Sequence, residues 1–441
     1  MKNLLRNLFQ LNWWNTQISF KKSAWIFAIT VPFISILAIP TQVTVDSIFY
    51  VASAKSLFTP DFAEYYIWYR EPGYPVLLSL IHLAGNSALY VQAVQAMFMG
   101  ISVWMLLYAF KRTAGFSTLT YLQLGLALLF IFNPMFFSYS GNFLQQAFFC
   151  FILASFAVFV EWGRKLPKQL TDRRLILLTL SLYVIAVLTS VGWLYFAVFP
   201  ILIVFINIVR RWSNNRIANK KVTSSTRQIV LGIVAAVLLT AFSFGLGRVV
   251  YAGWESFKAP YATQANYETT VVSPDSLPQV GNPIDIAVRF LALMDIVHVD
   301  PYEPQNEIFS EAAMRLRFLH SEWDTAYVNK PTTDYAPGYF VLSDPSLIGH
   351  SVFSILAPAG PPVYKVTYGA FALLTLSLLI RRKWSALAIA LIPMSFIFIH
   401  AANNTPVDRY GIPGYPFAIA LVTLGISWLA TRNFTTAANK D

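Results

Sequence analysis

ALYVQAVQAMFMGISVWMLLYAFKR, Ala88 to Arg112, is an apolar run of 23 residues that stops at a Lys-Arg pair. As a helix rising about 1.5 Å per residue, such a run crosses the roughly 30 Å hydrocarbon core of a bilayer. Working outward in both directions, runs of the same kind recur at 24–40, 119–138, 143–160, 174–190, 193–209, 228–250, 363–380, 384–401 and 412–430. With 88–110 they make ten spans. Composition agrees, because 56% of the 441 residues are hydrophobic and only 12% are charged, against about a quarter charged in soluble domains. Runs this long are not the short alternating strands of a membrane barrel, so the expected fold class is an all-α polytopic membrane protein with about ten transmembrane helices. Ala24–Pro40 follows a basic segment and lacks a small-residue cleavage site, and it reads as a retained span. The single cysteine, Cys150, lies inside an apolar run, which excludes an intrachain disulfide and a CxxC metal site.

The net charge of +11 belongs to topology and not to nucleic-acid binding, since the basic residues lack any amphipathic or aromatic-interleaved pattern. With the N-terminus in the cytoplasm, 22 of the 32 Lys and Arg fall on cytoplasmic segments, as the positive-inside rule requires. Of the 21 acids, 18 fall on the other side. Ionisable chemistry is therefore expected outside, in a multi-pass protein of the bacterial inner (plasma) membrane.

Two outer segments are long. In 41–87, Ser47–Phe58 and Gly73–Leu83 have helical apolar spacing, are too short to span, and read as interfacial helices. The segment 252–362 is punctuated by Pro and Gly and holds one amphipathic stretch, Glu307–Val328, so a small mixed outer subdomain is expected there. The chain thus divides into an N-terminal module 1–251, the loop subdomain 252–362 and C-terminal helices 363–441.

The densest chemistry lies between Val45 and Gly85. Asp46 stands just beyond the first span, where the bilayer edge penalises a charge that has no partner or task. YREPGYPVLLSLIHLAG, Tyr69–Gly85, then places Arg70 and Glu71 before Pro72, Gly73 and Pro75, which turn the chain into the second helix. Asp46 with its helix, the REPGYP turn, FNPMFFSYSGNFLQQA (Phe132–Ala147) and NNTPVDRYGIPGYP (Asn403–Pro416), in that order and sidedness, resemble the GT-C glycosyltransferases of the protein-mannosyltransferase-like (family 39-like) bacterial branch. The resemblance covers about 41–160 and 385–430.

That resemblance implies inverting transfer of a sugar from a polyprenyl-phosphate carrier to an acceptor hydroxyl on a glycan, lipid or protein of the envelope. Asp46 would serve as general base. Arg70 and Arg409 would hold the leaving phosphate, for which a permanently charged, bidentate guanidinium is suited, with Glu71, Tyr74 and Tyr410 in support. The chain departs from the family pattern at Ser47, where relatives carry a second acid, at Gln145 and Gln146, where others carry a Glu, and at Ser190, where an Arg is common.

Blander readings stand beside these. Asp46 suits a helix N-cap, Arg70 and Glu71 suit a surface ion pair, and Arg409 with Asp408 suits an interfacial anchor beside Tyr410. Asp295 and His298 lie three apart with Asp300 nearby, but no third metal ligand is fixed by spacing, so no metal or other cofactor is assigned. His82, His320, His350 and His400 are isolated and read as structural. An envelope polysaccharide ligase or polymerase would move the chemistry to 252–362. A membrane transporter would call for ionisable residues near midplane, and the spans hold almost none.

Overall fold

The computed structural model of the protein describes residues 16–39, 41, 45–57, 72–189, 197–218, 359–403 and 411–438. The 228–250 span, Arg70, Glu71, Ser190, the whole 252–358 stretch with Glu307–Val328 and Asp295, His298 and Asp300, and the segment 404–410 lie outside the described residues.

What is described is almost wholly helical. A short strand β1 (Gln17–Ser19) leads into α1 (Phe20–Ala38); α2 (Val45–Ser56) and α3 (Gly73–His82) follow, then α4 (Ala88–Thr113). After β2 (Thr118–Thr120) come α5 (Tyr121–Ile131), a short α6 (Pro134–Phe137) with a 3-10 turn at Ser138–Ser140, and α7 (Gln146–Arg164). The remaining helices are α8 (Asp172–Thr189), α9 (Val198–Ala218), α10 (Gly360–Ile380), α11 (Trp384–Asn403) and, after a 3-10 turn at Ile412–Gly414, α12 (Tyr415–Ala438). The two helices expected in the first outer loop are α2 and α3.

Five helices are long and apolar enough to cross a membrane, six if a bent pair counts as one span. This is a polytopic, all-α membrane protein, with fewer clear crossings among the described residues than the hydropathy reading expects. For two of the expected spans the reason is local. Helix α8 opens on Asp172, Arg173 and Arg174, and α9 carries Arg210 and Arg211 in its second half, so each gives part of its length to charge.

The bent pair is the 119–138 run, which breaks by 68° between α5 and α6. Asn133 causes the break. Its Oδ1 accepts hydrogen bonds from the Met135 N–H (3.0 Å) and the Phe136 N–H (3.3 Å), capping α6, and Pro134 disfavours helical dihedrals in the residue before it. The Asn133 Nδ2 meanwhile donates to the Gly360 carbonyl at 2.9 Å, tying the break to the start of α10. At its other end α5 begins on a capping box, Thr120 with Gln123, and Gln123 reaches across to the Ser427 hydroxyl of α12 at 3.0 Å.

Helices α4 and α7 form the centre, packing on each other and on α1, α9, α11 and α12. Small residues permit the close approach, since lipid supplies no hydrophobic drive between spans and backbone proximity must replace it. A Cβ on Gly100 of α4 would lie 3.0 Å from Val31 of α1, and one on Gly163 of α7 would lie 3.1 Å from the Val204 carbonyl of α9. Gly73 meets backbone that cannot give way. Its Cβ would stand 2.7 Å from main-chain atoms of Leu188 and Thr189 at the end of α8. The glycine of the REPGYP turn is thus required for contact with α8, and it is not among the residues with positive φ. Gly73→Ala is expected to push α3 off α8 and cost about 1–3 kcal/mol, read as a lowered thermal midpoint of the purified protein.

The aromatic residues also divide differently from a simple interfacial belt. Trp25, Trp212, Trp384 and Trp428 are exposed, whereas Tyr364, Tyr368 and Tyr415 are fully buried. Tyr364 and Tyr415 stack with centroids 4.4 Å apart, and Phe136 lies 5.0 Å from Tyr415, so α6, α10 and α12 meet on an aromatic core. Topology follows from the Lys/Arg-rich ends. Reporter fusions at Arg112, Arg216 and Arg381 are expected to read cytoplasmic and one at Tyr302 to read outside; a cytoplasmic signal at Tyr302 would reverse the sidedness of every residue considered below.

Candidate functional site

At the end of the bundle opposite the basic ends, a buried hydrogen-bond lattice joins α1, α3, α4 and the turn after α6. Gln92 and Gln95 lie three apart near the start of α4, on one face. The Gln92 amide nitrogen donates to the Ser35 carbonyl (2.8 Å), the Ser35 hydroxyl (3.1 Å) and the Ile39 carbonyl (2.7 Å). Ser35 carries a hydroxyl 2.6 Å from that of Ser140. The Gln95 amide nitrogen donates to the Ser140 (3.2 Å) and Asn142 (2.7 Å) carbonyls, and its oxygen accepts from the Tyr74 hydroxyl at 3.0 Å. Buried main-chain carbonyls freed where a helix ends are costly in an apolar medium, and the two glutamines satisfy four of them. Two amides three apart inside an apolar run were the visible signal, and the sequence reading passed over them.

Tyr74 is completely buried. Its ring meets Tyr50 of α2 edge-on at 5.1 Å, and Ser79 of the same helix donates to the Ala54 carbonyl of α2 at 2.7 Å. Burial first, and Tyr50 second, push the Tyr74 phenol well above its ordinary range, so it stays a hydrogen-bond donor at every physiological pH. The pair α2–α3 is thereby fastened to α4 as a unit.

Asp46 is the second residue of α2. The helix begins one residue before it, so Asp46 belongs to the first turn and not to a cap of a helix starting at Ser47; a carboxylate in a first turn also suits the helix dipole. Arg70 and Glu71 precede the described start of α3, and Arg409 and Tyr410 precede Gly411. All four lie outside the described residues. Their neighbours do not. Pro72 leads directly into α3, and the Ile412–Gly414 turn packs on α7 and α11, where the Ile412 carbonyl accepts from the Cys150 thiol at 3.7 Å and the Gly411 carbonyl from the Tyr368 hydroxyl.

A second polar centre occupies the basic end, and sequence reading missed it. Glu161 and Asp172 are two of the three acids that do not fall on the outer side. The Glu161 carboxylate has no exposed side-chain surface and is held bidentately by Arg164, at 2.8 Å through Nε and 2.8 Å through Nη2, with Arg112 Nε 3.6 Å away. Arg112 also donates to the Lys165 carbonyl (2.8 Å) and the Tyr108 hydroxyl (2.6 Å). Asp172 pairs with Arg211 and accepts from the Trp212 indole at 2.6 Å. These contacts lock the basic ends of α4, α7, α8 and α9 together. The acids' departure from the charge asymmetry was their signal.

Among the described residues no group of three His, Cys, Asp or Glu is placed to hold a metal. No family model matches the chain, and no curated protein matches it. Among solved structures it is similar to the crystal structure of ArnT from Cupriavidus metallidurans bound to undecaprenyl phosphate, with 15% identity and a TM-score of 0.36 over 91% of this chain and 76% of that one. An overlap that loose does not by itself establish a common fold.

Proposed function

We propose that the protein is an inverting membrane glycosyltransferase that moves a sugar from a polyprenyl-phosphate carrier to an acceptor hydroxyl at the outer face of the membrane. Asp46 is the general base that takes the acceptor proton as the hydroxyl attacks the anomeric carbon. Arg70 and Arg409 neutralise the phosphate as it leaves. Tyr74 is a positioning residue, and Glu71 and Tyr410 orient the arginines beside them.

The observation that supports this reading best is the lattice built on Gln92 and Gln95. It fastens α3, which begins three residues after Arg70, and Ile39, the residue that caps α1 seven before Asp46, to one short stretch of α4. The turn after Arg409 is anchored to α7, which packs along α4. The described segments that flank this acid and the two guanidiniums, far apart in sequence, are thus fixed to neighbouring helices, as a shared pocket would require. A carrier buried in lipid also accounts for a site at a helix end instead of within a soluble domain.

The test is reconstitution of the purified protein in liposomes with a panel of polyprenyl-phosphate sugars, following loss of carrier-linked sugar. Consumption of at least one donor, abolished in Arg409→Ala together with donor affinity, is the expected result. Absence of turnover and of donor binding across the panel would overturn the reading.

A further inference from the structure

At the head of α7 a set of buried carboxamides lacks partners. Asn142 is 1% exposed and Gln146 3%, yet neither the Oδ1 nor the Nδ2 of Asn142 has a hydrogen-bond partner, nor has the Oε1 of Gln146, of the half-buried Gln145, or of Gln92. Four acceptor oxygens and one donor nitrogen are left open at one end of the bundle. Groups buried this deeply in an apolar protein are normally satisfied, and Gln95, three residues from Gln92 on α4, has both ends of its carboxamide engaged. The deficit is local.

These groups are also held in position. Gln92 cannot turn, because its amide nitrogen is engaged by Ser35 and Ile39. Asn142 is fixed through its carbonyl by Gln95. Gln146 shares a face of α7 with Phe149 and Cys150, three and four residues on; Phe149 meets Phe396 of α11 at 6.0 Å and Cys150 donates to Ile412. Gln146 therefore stands at the head of α7 on the face that meets α11 and the Ile412–Gly414 turn. Gln145, the N-cap residue, makes no side-chain capping bond.

We infer that Asn142, Gln145 and Gln146, with the Gln92 oxygen, form a subsite for a neutral polyhydroxylated group, the sugar of the lipid-linked donor. Each carboxamide pairs an acceptor oxygen with an NH2 donor, the complement of a ligand whose hydroxyls both donate and accept, and the open Asn142 NH2 can donate to a ring or hydroxyl oxygen. Carboxamides add no charge, so they offer a cationic amino sugar no counter-ion and an acidic sugar no cation. A lipid chain has no hydrogen-bonding group to offer. The inference rests on the transfer reading above and narrows it to a neutral donor sugar.

The experiment uses the full-length protein in nanodiscs, with three probes: undecaprenyl phosphate, the same lipid carrying glucose, and the same lipid carrying an amino-hexose. The wild type is expected to bind the glucose-bearing lipid about 10-fold more tightly than the bare carrier, a gain typical of a few neutral hydrogen bonds. Gln146→Leu should erase most of that preference and leave affinity for the bare carrier unchanged, while raising the thermal midpoint of the ligand-free protein, since it removes an unpaired buried amide. Gln145→Leu, at a half-buried position, should lower the same preference and serves if Gln146→Leu does not fold. Equal binding of bare and glucose-bearing carrier by the wild type would overturn the subsite and leave the carrier reading standing. A stronger hold on the amino-hexose lipid would also overturn it. A lowered midpoint with an unchanged preference would show that the amides only hold water. Failure to bind any of the three lipids would overturn the subsite and the transfer reading together.

Discussion

Asp46→Asn is expected to fold, insert and bind a lipid-linked donor while losing sugar transfer by about 10²- to 10⁴-fold, the usual contribution of a positioned general base. The substitution keeps size and hydrogen-bonding reach, so an Asp46 that merely steadies the first turn of α2 would tolerate it. What it removes is the proton acceptor. The measurement is transfer rate and donor affinity for wild type and variant, at matched protein amount in the same membrane preparation. Near-normal transfer would exclude Asp46 as the base and move the search for chemistry to 252–362, where an envelope ligase would hold it.

The second large effect is on stability, at the opposite end. Glu161→Ala is expected to destabilise the protein by about 2–4 kcal/mol, read from reversible unfolding in mixed micelles. Truncating one partner of a buried ion pair leaves the other uncompensated, at a cost of about 3–5 kcal/mol when both are enclosed. Here Arg164 keeps 34% of its side-chain surface exposed, which lowers the expectation. Glu161→Gln should lose less, because an amide oxygen still accepts from Arg164. Transfer per folded molecule should be unchanged in both, since Glu161 lies at the basic end of α7 and the proposed site at the other. A loss of only a few tenths of a kcal/mol would mean that the network is solvated and marginal.

Departures of the structure from the linear reading share one origin. At Asn133-Pro134 hydropathy averages over a window and cannot register a single cap, so the 119–138 run reads as one span although FNP carries both causes of the break. At Gly73 the sequence suggests a turn, whereas the glycine is needed because the α8 backbone passes within contact distance, a neighbour more than 100 residues away. The pairing of β1 with β2, Ile18 opposite Leu119, involves three-residue strands too short to show any period.

A helical membrane protein, its basic ends, and two short helices beginning near Asp46 and Gly73 are all legible along the chain. Those properties follow from local terms, apolar length against bilayer thickness and charge against the cytoplasmic face, which each residue carries with it. That Tyr74 rests on Gln95, that Glu161 sits between Arg112 and Arg164, and that the Asn142 amide and the Gln146 amide oxygen are buried without partners follows from packing alone. Whether a polar atom is satisfied depends on which other helix comes within 3 Å of it, and distance across a bundle is not a property of the chain's order.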